Sequence, residues 1–227
     1  MPHKQIELEL RGEIRPDDFP RIRKQLSVLG FRRANATRRL SVMFFGVVHG
    51  YRKGGNTGGK EHVDLRCRIT NGDAEIVTKV GKDVTSRLEI RRAVSHEDLV
   101  AFSQMFAAMG FFGKVGSKLT ENFQHGSILI SLVQSPSGLA YIELEKMTDQ
   151  NNERKDRKEL VRVARAIDVR IWKSQKEFRA FCDQLTTQDD WKYCGSPADV
   201  KRLKREIYGM GFKKSKSKNT RHEMSDS

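Results

Sequence analysis

The sequence predicts an antiparallel α+β fold. Eight segments alternate apolar and polar residues with the two-residue period of strands, two amphipathic helical segments interrupt them, and after Asp149 the pattern is helical. The 227 residues show no internal repeat and suffice for one sizeable domain, expected over residues 1–186, with a short helix and a basic tail over 187–227.

The first strand spans residues 5–14, with Ile6, Leu8 and Leu10 on one face and Glu7, Glu9 and Arg11 on the other. Pro16-Asp17-Asp18 opens a helix whose apolar stripe is Phe19, Ile22, Leu26 and Leu29, and Gly30 ends it. Strands follow at residues 39–48, 62–69, 74–80 and 86–93, with Asn71-Gly72-Asp73 as a tight hairpin turn. The glycine-rich stretch 50–60 contains Gly54-Gly55-Asn56-Thr57-Gly58-Gly59-Lys60. It lacks the serine or threonine that follows the lysine of a phosphate-binding loop, because Glu61 stands there, and reads as a hairpin tip. Ser95 and Asp98 form a capping box for a helix over 99–109. Three more strands are expected at 111–123, 127–134 and 139–146, then helices at 152–166, 173–185 and 197–208.

Composition narrows the function. Charged residues make up 32% of the chain and the net charge is +14, which attracts polyanions: nucleic acid, nucleotides, polyphosphate or an anionic membrane. Nine lysines and arginines against one acid, Glu206, fall within residues 201–221. That composition predicts a solvated helix end and a disordered segment, which offers a contact to RNA through phosphate attraction. No run of about 18 apolar residues exists, so no membrane-spanning helix is expected. The N-terminus enters a strand without the apolar stretch of a signal peptide, and Cys67, Cys182 and Cys194 lie far apart without C-x-x-C spacing. Both features predict a cytoplasmic protein with reduced thiols. The six histidines form no cluster.

The informative feature is what faces away from the apolar residues. Glu7, Glu9 and Arg11 share a face. So do Asp64, Arg66 and Arg68; Glu75 and Lys79; Arg87, Glu89 and Arg91; and Glu143 and Glu145. One such strand is what any antiparallel sheet with a wet face shows. Five together, with like charges only about 7 Å apart along a strand, call for compensation. The glutamate pairs suit a divalent cation between them, since carboxylates are the preferred ligands of Mg²⁺ and Mn²⁺, and Arg66 and Arg68 suit a polyanion. A closed barrel would hold all of them in one wet tunnel.

The order Glu7-Leu8-Glu9-Leu10-Arg11, Leu65-Arg66-Cys67-Arg68-Ile69, Lys79, Arg87-Leu88-Glu89, Glu143-Leu144-Glu145 resembles the CYTH superfamily of triphosphate tunnel metalloenzymes over about residues 4–185. That superfamily includes class IV adenylyl cyclases, thiamine triphosphatases and inorganic triphosphatases. The resemblance implies an eight-stranded antiparallel β-barrel, a tunnel with flanking helices, that binds triphosphate at its centre. It implies Glu7, Glu9, Glu143 and Glu145 as ligands of Mg²⁺ or Mn²⁺, and Arg11, Arg66, Arg68, Lys79, Arg87 and Lys118 as the grip on the phosphates. Glu89 matches an acidic position that would orient or activate the attacking water. Three positions depart from the pattern: Arg91 replaces an acid, Thr120 replaces the arginine of a K-x-R motif, and Leu132-Val133 falls where an aspartate is usual.

The expected activity is metal-dependent hydrolysis of a triphosphate, carried on a small molecule, a nucleotide or an RNA end. A triphosphate carries about four negative charges that must be neutralised before a nucleophile approaches, and metal-bound water needs no histidine base. The alternatives are a class IV adenylyl cyclase and a non-catalytic module that binds polyphosphate or RNA ends.

Overall fold

Nine strands form one antiparallel sheet in the computed structural model, which describes residues 6–45, 62–81, 88–149 and 151–210. The strands are β1 (Ile6–Ile14), β2 (Arg32–Phe45), β3 (His62–Thr70), β4 (Asp73–Gly81), β5 (Leu88–Val94), β6 (Phe112–His125), β7 (Ile128–Gln134), β8 (Ala140–Thr148) and β9 (Trp191–Tyr193). The helices are α1 (Phe19–Val28), α2 (His96–Ala108), α3 (Glu153–Ala166), α4 (Gln175–Gln188) and α5 (Pro197–Gly209). The glycine-rich stretch 50–60 and the tail beyond 210 lie outside the described residues.

Eight strands run in the order β1-β8-β7-β6-β2-β3-β4-β5. Strand β9 pairs with the first part of β6, along Gly113–Val115, on the edge that β7 occupies farther along at Leu119–His125. The tunnel expected from the sequence is thus an open path whose ends are β1 and β5, and no ladder joins those two among the described residues.

Local chemistry accounts for the punctuation. Asn71 and Gly72 both take positive φ, the requirement of the two-residue turn that matches strand twist. Asn71 Oδ1 also accepts from the Arg38 amide at 2.7 Å, tying this hairpin to β2. Ser95 caps α2 by accepting from the Asp98 amide, as its spacing predicts. Strand β2 begins seven residues earlier than its alternation suggests. Its opening residues are exposed and polar, but their backbone pairs with β6 across a bulge at Ala34. Strand β9 has three residues, too few for a period to declare itself.

Strands β1, β2, β3, β6, β7 and β8 bury their apolar faces outward, against helices, whereas Ile90 of β5 is 57% exposed. Leu8, Leu10, Ile130, Leu132, Ile142 and Leu144 pack beneath α1 and α3. Leu40, Val42, Phe44, Cys67, Ile69 and Val115 pack beneath α2 and α5. The alternate residues of the same strands therefore face the concave side. A third, smaller cluster lies on that inner side: Val133 and Tyr141 alternate with Leu132 and Ile142, and they meet Phe181 of α4. Helix α4 thus covers one end of the cavity. The chain leading into it crosses β1 so closely that a Cβ on Gly12 would lie 2.1 Å from the Arg170 carbonyl oxygen. No helix among the described residues is long and apolar enough to cross a membrane.

Candidate active site

Two neighbouring strands assemble the carboxylates. In the β1–β8 ladder Glu9 stands opposite Glu145 and Arg11 opposite Glu143. The alternation that sends Leu8, Leu10, Ile142 and Leu144 into the outer core sends these four side chains inward. One oxygen from each of Glu9, Glu143 and Glu145 can be chosen so that all three lie within 4.8 Å of one another. A hard divalent cation takes oxygen ligands at about 2.0–2.6 Å, so ligand oxygens around it sit about 3–5 Å apart. The donor set and its spacing fit Mg²⁺ or Mn²⁺, with half-buried carboxylates and room left for water or substrate oxygens.

Arg11 organises this cluster. Its Nη2 contacts Glu9 Oε2 at 2.5 Å, its Nε donates to Glu143 Oε1 at 3.2 Å, and its guanidinium lies 4.6 Å above the Phe178 ring of α4. Burial works against its charge, but Glu9 and Glu143 outweigh that and hold its pKa above the ordinary arginine value. The sequence assigns Arg11 to substrate phosphate; its observed partners are the carboxylates. Glu9 shows the cost of the arrangement. Burial first, and then the neighbouring Glu143 and Glu145, push its pKa up to about 8, although Arg11 pulls the other way.

Across the cavity the charge is positive. Arg66 is paired with Asp64 at 2.5 Å, and Arg68, only 5% exposed, is paired with Glu75 at 2.5 Å. Arg39 of β2 donates to Thr70 Oγ1 at 3.1 Å. Burial and the adjacent Arg68 and Arg66 guanidiniums depress its pKa, with Glu143 partly offsetting them. Lys118 of β6, opposite Arg39 in the ladder, donates to the Tyr141 hydroxyl at 2.9 Å. Burial opposes its charge too, but Tyr141 and Glu143 keep its pKa above the ordinary lysine value. Glu143 therefore acts on Arg11, Arg39 and Lys118, which join the carboxylate wall to the basic wall.

Of the residues expected at the site, the structure brings together Glu9, Glu143, Glu145, Arg11, Arg66, Arg68 and Lys118. Arg87 and the side chains of Glu7, Lys79 and Glu89 lie outside what the structure describes; the backbone sets Lys79 opposite Glu89 in the β4–β5 ladder. The three departures from the family pattern also have places. Leu132 is fully buried in the outer core, whereas Ser131 and Val133 take the inner positions on β7. Thr120 stands opposite Val133, and Arg91 is exposed on β5. Arg39 and Tyr141 were missed from the sequence. Arg39 alternates with Leu40, Val42 and Phe44, which was the available signal; Tyr141 precedes Ile142 and looks apolar until its hydroxyl is seen on Lys118.

Neither a scan against protein-family models nor a search of curated proteins matched this sequence. Solved structures do match. The PH1012 protein from Pyrococcus horikoshii is 18% identical, covers 73% of this chain and 94% of its own, and superposes with a TM-score of 0.55. A candidate adenylate cyclase from Vibrio parahaemolyticus is 18% identical over 78% of this chain and 98% of its own, with a TM-score of 0.52. HpAC1 from Hippeastrum, a candidate adenylyl cyclase described as having a dominant triphosphatase activity, is 12% identical over 80% and 96%, with a TM-score of 0.53. The likeness is one of fold, and it bears out the fold that the CYTH resemblance implies.

Proposed function

We propose that this chain is a divalent-metal-dependent phosphohydrolase that takes the triphosphate end of its substrate into the cavity. The observation that carries the reading is the joining of two opposed charge sets on one concave face. Glu9, Glu143 and Glu145 supply three carboxylates in mutual reach, Arg39 and Lys118 both lie in the field of Glu143, and Arg66 and Arg68 stand beside Arg39. The fold it shares with HpAC1, a protein described as a triphosphatase, supports the same reading.

Each residue has a task that follows from its contacts. The three glutamates would hold the cation, which when bound neutralises phosphate charge and polarises a phosphoryl oxygen. Arg11 fixes Glu9 and Glu143 in register through its two bonds. Arg66 and Arg68, held by Asp64 and Glu75, present fixed guanidiniums to the phosphate chain, a geometry suited to paired hydrogen bonds. Arg39 and Lys118 offset the remaining negative charge where it would otherwise repel an incoming nucleophile. The family resemblance, rather than any described contact, gives Lys79 and Arg87 a share in this grip and Glu89 the task of orienting the attacking water. A cytoplasmic setting suits an enzyme whose described cysteines are all free.

The decisive assay is a panel of triphosphates (tripolyphosphate, thiamine triphosphate, nucleoside triphosphates and 5′-triphosphorylated RNA) with Mg²⁺ or Mn²⁺, reading phosphate and pyrophosphate separately. Orthophosphate release supports the hydrolase; pyrophosphate with a cyclic nucleotide would make the chain a cyclase instead. A non-hydrolysing polyphosphate binder is favoured by one observation. The inner positions of β7 next to the glutamates, Ser131 and Val133, bring no carboxylate, and Val133 is packed against α4. Tight tripolyphosphate binding without phosphate release with either metal, across about pH 6–10 to bracket metal-bound water, would establish that second reading.

A further inference from the structure

The outer face of α3 carries a charge pattern that the cavity does not use. This helix holds Arg154, Lys155, Arg157, Lys158, Arg162 and Arg165 against three acids, Glu153, Asp156 and Glu159. All three acids are engaged. Asp156 and Glu159 each accept from Lys146 of β8 at 2.7 Å, and Glu153 lies 3.5 Å from Arg157. Arg154, Lys158, Arg162 and Arg165 make no ion pair or side-chain hydrogen bond among the described residues, and all four are exposed.

Their spacing puts them in line. At 100° per residue, positions 154, 158, 162 and 165 fall within about an 80° stripe, and they span about 16 Å along the axis. Like charges at four-residue spacing repel by about 0.2–0.5 kcal/mol per pair, so the stripe is mildly unfavourable to the isolated helix. Beside it runs an open groove of about 800 Å³ whose lining includes Lys146, Arg154, Lys155, Lys158 and Arg162.

We propose that this stripe is a docking track for the phosphodiester backbone of a nucleic acid. A 16 Å line of cations matches about five phosphates at the 3.4 Å rise of one strand. Three of the four residues are arginine, the side chain suited to planar recognition of phosphate oxygens. An anionic membrane fits less well. Val161 and Val163 of the same helix are turned into the outer core, and no large apolar residue of α3 is exposed to anchor it in lipid. No aromatic residue occurs in α3 for bases to stack on, and contacts to phosphate alone carry no sequence information, so recognition is independent of sequence. The proposal stands apart from the hydrolase reading, because α3 packs on the outside of the β1–β8 wall and its stripe faces away from the cavity.

The test uses the full chain and 5′-hydroxyl oligonucleotides, which carry no triphosphate for the cavity. Binding is titrated against salt on a duplex and on a single strand. The variant Arg154→Gln/Lys158→Gln/Arg162→Gln/Arg165→Gln should lower the salt slope by about 3.6 on the duplex or about 2.8 on the single strand, and whichever ligand shows the loss identifies the strand state. Arg162→Lys/Arg165→Lys should keep the slope, which separates lost charge from lost fold. Tripolyphosphate turnover, where wild type shows it, should be unchanged in both variants. If neither protein hydrolyses tripolyphosphate yet the slope still falls, the track stands and the hydrolase reading fails. An unaltered slope in the four-fold variant overturns the proposal, as does a loss confined to phosphatidylserine vesicles.

Discussion

Replacing Glu9 by glutamine tests the charge balance of the cavity without reference to any substrate. In the metal-free protein Glu9 titrates near pH 8, against 4.5 when unperturbed. Below pH 4.5 the carboxyl is neutral in both folded and unfolded chains and contributes no pH dependence. Between pH 4.5 and 8 the unfolded chain loses this proton while the folded chain keeps it, so stability falls as pH rises, by about 1.4 kcal/mol per unit. The loss accumulates to about 3 kcal/mol at pH 7 and levels off near 5 kcal/mol above pH 8. Glutamine cannot titrate, so the advantage of Glu9→Gln over wild type should grow by those amounts across that window. The change with pH is the quantity to read, because the lost contact between Arg11 and a carboxylate adds an offset of its own. Urea unfolding in EDTA at half-unit steps from pH 4.5 to 8.5 measures it. Excess Mg²⁺ should then restore wild type, by about 2.7 kcal/mol at a hundredfold excess over its Kd, and leave the variant unmoved. A stability difference that stays flat over the window, or shrinks as pH rises, refutes the reasoning.

Three further outcomes are expected. Glu143→Gln removes a candidate metal ligand and the acceptor of Arg11 together, so turnover should fall at least about 100-fold, read as phosphate release. Arg39→Ala relieves crowding with Arg66 and Arg68, so thermal stability should hold, while KM for tripolyphosphate rises about 10- to 150-fold through loss of a charged contact. Gly12→Ala drives a methyl against the Arg170 backbone and should cost about 1–3 kcal/mol, seen as a lowered Tm, with displacement of the segment that leads into α4.

Much of the fold was legible because burial and charge share one period. Leu8 and Leu10 announce a strand, and the same alternation places Glu9 and Arg11 on the opposite face, so element and site were read together. What stayed hidden is what depends on distant partners. The opening of β2 offers no alternation at Arg32-Arg33 and is a strand only because β6 pairs with it. Whether the path of strands closes is a matter of how far successive twists carry β5 toward β1, and no residue pattern encodes that sum. The partners of Arg11 were hidden for a related reason. Its position in the motif indicates a cation at the site, but only the β1–β8 register, which sets Arg11 opposite Glu143, determines which anions it meets.

That register has a consequence for how the cavity would respond to substrate. Arg11 bridges Glu9 and Glu143 and rests on Phe178 of α4, so the helix that covers one end of the cavity touches the residue that orders the carboxylates. Lys118 makes a second such link, since its partner Tyr141 meets Phe181 on the same helix, ring centroids 5.6 Å apart. Two cations of the site are thereby held by aromatic residues that also seat α4, whereas Arg66 and Arg68 are held by carboxylates on β3 and β4. Loosening α4 should therefore disturb the carboxylate wall and Lys118 before it reaches the two arginines. Phe178→Ala tests this order: it should weaken Mg²⁺ affinity more than metal-free tripolyphosphate binding. Equal losses in the two, or a loss in tripolyphosphate binding alone, would mean that α4 covers the cavity without positioning its carboxylates.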